Sequence, residues 1–212
     1  MKAQFHPIPR ISEHPSGKIF RKDVSMPWSL PPKGEGAVPM KQVQCFVCRQ
    51  MCNVPKSAIS AKCLHCASYI KMDDISLHAR THRTFVRTWG TVTIRANADL
   101  KGLDVECLHL VMHGRGSGKF RCQGLCKIKS DQHISGMIEA QRLVIEKKAK
   151  VTVVGGMMVK DCQINGVLEG QIKASNVITI RRNAKFLGDI VARQLVIEEG
   201  GIHQGAFTKL SD

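Results

Sequence analysis

A chain of 212 residues has room for one ordinary domain and a smaller one, or for one domain with tails. Hydrophobic residues make up 43% but aromatic ones only 5%, unusual for a globular enzyme and natural for a thin core of Val, Ile, Leu and Ala. The net charge of +15 favours polyanions without choosing among nucleic acid, anionic lipid and acidic wall polymer.

Residues 1–40 carry seven of the eight prolines and little periodicity, which predicts a disordered tail. Its apolar residues Phe5, Ile8, Ile11, Phe20 and Trp28 are the candidates there for touching a membrane or a partner. No apolar run of signal length stands at the start. The longest charge-free apolar stretch, 151–159, is about half of a membrane span, so no transmembrane segment is expected. The expected address is the cytoplasm, with peripheral membrane contact left open.

Residues 41–87 read as a zinc ribbon and a basic connector. Cys45 and Cys48, then Cys63 and Cys66, form two C-x2-C pairs fourteen residues apart, the spacing of a four-thiolate structural zinc site. In a chain without an export signal such pairs read as metal ligands rather than disulfides. Metal would replace a hydrophobic core too small to fold this segment alone. The intervening residues 54–62 suit a β-hairpin. The glycine usual after each knuckle is replaced by Arg49 and Ala67, and Cys52 and His65 lie close enough to substitute as ligands. A rival set, Cys63, Cys66, His78 and His82, has a loop one residue short of the common finger and strands Cys45 and Cys48. Residues 41–90 hold eight Lys or Arg against two Asp, and Arg80, Arg83 and Arg87 are the candidate polyanion contacts.

From Thr88 onward short β-branched runs alternate with glycine, and a repeat emerges. The last apolar residues of successive runs are Ile94, Leu110, Ile128, Ile145, Cys162, Ile180 and Ile197, spaced 16 to 18 apart. Eight residues after each stand Gly102, Gly118, Gly136, Val153, Gly170, Gly188 and Gly205: six glycines in seven, against a background of about 7%. A further column, ten after each anchor, runs Asp104, Phe120, Ile138, Gly155, Ile172, Ile190 and Phe207. Alternation by two on either side of the glycine is strand periodicity with one face turned inward. Glycine at a fixed phase suits a corner. Seven laps stacked at about 4.8 Å would make an all-β rod about 34 Å long. Asp104, the glycine-dense 113–118 and 153–158 fit least well and are expected to bulge. Cys126 and Cys162 fall in inward columns; Cys107 and Cys122 are placed near corners.

The stretch Gly188–Phe207 and its echo Gly170–Gly188 resemble the bactofilin domain, a likeness that extends over about 88–209. The resemblance implies a right-handed β-helix of about seven triangular coils. It also implies a bacterial cytoskeletal scaffold that polymerises without bound nucleotide. Too little chain follows Phe207 to form a helical cap, so the last coil is expected to present Ile197 and Phe207 to a second copy.

No enzyme is expected. Gly114–Lys119 lacks the gap and the hydroxyl residue of a phosphate loop. A six-residue acyltransferase rhythm is missing, and His109, His113, His133 and His203 share no phase. Two readings follow from the residues. One is a homopolymeric scaffold whose ribbon recruits cell-envelope or other protein partners. The other is a zinc-dependent nucleic-acid binder oligomerised by its rod, although few aromatics interleave with its charges.

Overall fold

The computed structural model describes residues 38–79, 81 and 84–211. The tail residues Phe5 to Trp28 and the connector residues Arg80, His82 and Arg83 lie outside these. From Val38 onward the chain forms one unit, entirely of strands and turns.

Two small antiparallel hairpins come first. One joins β1 (Met40–Gln44) to β2 (Met51–Pro55), and the other joins β3 (Ser60–Lys62) to β4 (Tyr69–Lys71). Each is closed by one C-x2-C knuckle. The hairpin expected within 54–62 does not form: Pro55 ends β2 and a turn separates it from β3, so each strand pairs across its own knuckle instead.

The rest is a parallel β-solenoid. Its strands are β5 (Ile75–Leu77), β6 (Phe85–Ile94), β7 (Asp99–Met112), β8 (Arg115–Ile128), β9 (Gln132–Ile145), β10 (Lys150–Ile164) and β11 (Val167–Ile180). The last laps are split into β12 (Lys185–Leu187), β13 (Ile190–Ile197), β14 (Ile202–Gln204) and β15 (Phe207–Lys209). β5 adds a lap before the first anchor, so the rod has about eight turns rather than seven.

Several inward columns form the core, and two of them run from the first lap to the last. The first stacks Leu77, Ile94, Met112, Ile128, Ile145, Ile164, Ile180 and Ile197. The second stacks Val86, Val105, Phe120, Ile138, Met157, Ile172, Ile190 and Phe207. Met112 and Ile164 thus stand where Leu110 and Cys162 were expected. Leu110 and Cys162 also point inward, two residues earlier, and pair with Val92 and Leu143. A slip of two preserves the face, so alternation alone cannot choose between the registers.

Register shifts show where the rod bulges. Between Leu100 and Leu103 the ladder skips, which places Val105 inward and turns Asp104 out to pair with Arg121 at 2.8 Å. Gly102 sits in this bulge with φ +67 and open space beside it, while Leu103 pairs with Gly118. In β10 a second bulge between Val153 and Met157 brings Met157 inward and stacks Gly155 against Gly136.

At the resulting corner column the reason for glycine is direct. A Cβ on Gly136 would lie 1.8 Å from the Gly118 carbonyl oxygen, and its φ is +148. Gly118, Gly170, Gly188 and Gly205 share the positive φ. Cys107 and Cys122 stand beside the register shifts that follow them and are buried, neighbours on successive laps in a column with Thr88, Ala140, Val159 and Ala174.

Candidate metal centre and terminal rim

The two knuckles bring four sulfurs together. Those of Cys45, Cys48, Cys63 and Cys66 all lie within 4.8 Å of one another, with Cys45–Cys66 and Cys48–Cys63 each at 3.6 Å. A metal–sulfur bond of about 2.3 Å in a tetrahedron puts ligand sulfurs about 3.8 Å apart, so the donor set and its spacing fit a four-thiolate ion.

The knuckles are made by tight turns. Arg49 N–H donates to Cys45 O at 3.0 Å and Ala67 N–H to Cys63 O at 2.9 Å. Both residues occupy the left-handed region, with φ +61 and +57, at the positions where glycine would be unstrained. Strain of this kind persists only where the surroundings over-determine it, and convergent metal ligands would do so.

The thiols are electrostatically coupled. Burial works against ionisation of Cys45, but the Ser68 hydroxyl and the backbone N–H groups of Cys48 and Val47 hold its pKa at about 6. At Cys48 a backbone hydrogen bond from Gln50 favours the thiolate. Burial and the neighbouring sulfurs of Cys63, Cys66 and Cys45 prevail and push it up to about 12. Four thiolates so close repel one another unless a cation sits among them. Cys52 is buried 3.6 Å from the Cys63 sulfur but stands outside the four-residue cluster, as do His65 and His78.

The ribbon is fastened to the rod by residues that sequence reasoning missed. Trp89, on β6, packs its ring 6.1 Å from that of Phe46 and donates its Nε1–H to Gln44 O at 2.7 Å. Glu106, on β7, is buried with its carboxylate between two guanidiniums: Arg49 from the knuckle is ion-paired to it, and Arg87 Nε lies 3.3 Å away. The connector's Arg87 is therefore committed to Glu106, and its guanidinium also lies over the Phe85 ring at 4.2 Å. Faint signals existed: Trp89 is one of only two tryptophans, and Glu106 stands between the apolar Val105 and Cys107.

At the opposite end, among the described residues, β14 pairs with β12 alone and β15 with β13 alone, so each has an edge without a strand partner. Ile197 and Phe207 stand on this rim 46% and 43% exposed, joined by Ile202 at 48%, a third apolar residue that the repeat columns did not single out. In the same lap the His203 ring lies 5.7 Å from that of the buried Phe186 on the preceding lap, tilted by 33°.

Among the described residues no helix is long and apolar enough to cross a membrane. A family model described as bactofilin, polymer-forming cytoskeletal, matches residues 70–154 and 149–208, more than half of the chain. No curated protein and no solved structure matches it.

Proposed function

The chain belongs to the bactofilin family of polymer-forming cytoskeletal proteins, and from that premise we propose that it is a bacterial, cytoplasmic scaffold that associates end to end into filaments without nucleotide. The observation that carries this reading is the last coil. An unpaired strand edge is a template for another chain, and apolar residues along it add a hydrophobic reward for covering it. Ile197 and Phe207 are the proposed polymerisation residues.

The proposed metal is zinc, held by Cys45, Cys48, Cys63 and Cys66 in a closed structural site. The ribbon serves as a module for recruiting protein partners. Val47, Ile59, Leu64 and Tyr69 leave it 65% to 89% exposed, an apolar surface suited to a protein rather than a phosphate backbone. With Arg87 beside Glu106, the nucleic-acid alternative keeps Arg80 and Arg83 as its candidate contacts.

The test is electron microscopy and sedimentation of the purified chain without nucleotide. End-to-end assemblies should form and should vanish in Phe207→Arg while circular dichroism stays unchanged. Assemblies that survive the substitution would remove the last coil from the interface.

A further inference from the structure

The two ends of the rod are not alike. The Leu77–Ile197 column is 1% exposed at its first residue and 46% at its last; the Val86–Phe207 column goes from 3% to 43%. Every lap has the same kind of core, so the difference lies in what covers the ends.

At the first lap the covering is the ribbon and the segment leaving it. Residues Phe85–Thr88 of β6 pair with β7 on one side, and β4 packs against this strand. The chain after β4 crosses so closely that Thr88 Oγ1 donates to Asp73 O at 2.6 Å and Thr91 N–H to Asp74 Oδ1 at 2.6 Å. A Cβ on Gly90 would meet the Asp73 carbonyl oxygen at 2.3 Å, so only glycine admits this crossing. Trp89 extends into the ribbon core, and the Arg49–Glu106–Arg87 ion cluster clamps the first knuckle to the second lap. A solenoid end covered by an element of this kind does not offer its core to a second rod.

Among the described residues β5 too has one strand edge without a partner, but only the last lap leaves its core columns exposed, and it is also nearly neutral. Residues 188–210 contain Arg193 and Lys209 against Asp189, Glu198 and Glu199, a balance of −1 in a chain of +15. Two copies can therefore approach there without the repulsion that the remaining surface imposes. With the core of the first lap covered, the exposed apolar rim of the last coil is matched by the same rim of another copy, and that makes a two-fold, self-limiting contact.

We infer that the ribbon is an intramolecular cap on the first lap, so that a chain with its ribbon seated joins one second copy, last coil to last coil, and extends into filaments only when the ribbon is lifted. This rests on the end-to-end association proposed above and adds a gate at the other end.

The experiment uses the full chain, loaded with zinc, in sedimentation velocity and negative-stain microscopy. Zinc-loaded protein should sediment as pairs and appear as two rods end to end. Stripping the metal with a chelator, or Glu106→Ala with zinc present, should shift the population from pairs to assemblies of many chains. If Glu106→Ala does not fold by circular dichroism, the chelation arm decides. Long filaments from zinc-loaded wild-type protein would overturn the cap while leaving end-to-end assembly intact. Assemblies that stay at two chains after chelation would overturn it as well. Monomers under every condition would instead bring down the end-to-end reading, and the cap with it.

Discussion

Truncating Phe207 to Ala weighs the terminal contact and reports its symmetry. Phe207 is 43% exposed, which for an aromatic side chain of about 200 Å² leaves about 85 Å² to be covered by a partner. At about 25 cal/mol per Å² this is about 2 kcal/mol for each Phe207 buried. A last-coil-to-last-coil junction contains two such residues, so the substitution removes about 4 kcal/mol and weakens the pair by about 1,000-fold. A junction joining the last coil to the first lap of the next chain contains one, and would weaken by about 30-fold. Mass photometry or sedimentation equilibrium across a concentration series gives the dissociation constant, with circular dichroism to show that the rod is unchanged. A loss near 30-fold refutes the two-fold junction, and a loss under threefold refutes the involvement of the last coil altogether.

Two further outcomes concern the rod itself. Gly136→Ala places a Cβ against the Gly118 carbonyl at φ +148 and should cost about 3 kcal/mol, lowering Tm by about 6–12 °C. Gly156→Ala, also at positive φ but with open space beside it, should cost about 1 kcal/mol; equal losses in the two scans would contradict the crowding. Glu146 accepts a hydrogen bond from Lys127 Nζ at 2.5 Å, which holds its carboxyl below the usual range. The stabilisation is therefore full above a pH of about 4.3 and disappears as pH falls through the lowered folded value. Both side chains are about one-third exposed, so Glu146→Gln should cost less than about 1 kcal/mol at neutral pH. The Tm gap to wild type should close on acidification; a gap that widens in acid would show that the pair does not act this way.

The likeness of one lap to the next was legible in the sequence because a solenoid core is built from short, nearly repeated runs. Alternating apolar residues and a glycine at fixed phase are enough to identify inward faces such as Ile128, Ile145 and Ile180. The four-cysteine cluster was legible for a similar reason: two C-x2-C pairs are local turns, and each turn fixes its own sulfurs. Where the sequence misled, the cause was the period of two. Leu110 and Met112 both satisfy an inward column, so nothing local distinguishes them, and only the hydrogen-bond ladder does. Asp104 looked inward because the bulge between Leu100 and Leu103 shifts the face by one residue, an event that no single strand records.

What lies between the ribbon and the rod belongs to the tertiary structure alone. Arg49 and Glu106 are 57 residues apart, and Trp89 reaches Gln44 across 45. Such contacts follow from how two independently patterned segments pack, and no spacing encodes them. Composition and repeat therefore determined that this chain winds into a β-rod behind a four-cysteine knuckle pair. Packing decided that the core is covered at the first lap and exposed at the last, because covering the end of a rod depends on which part of the chain comes to lie over it.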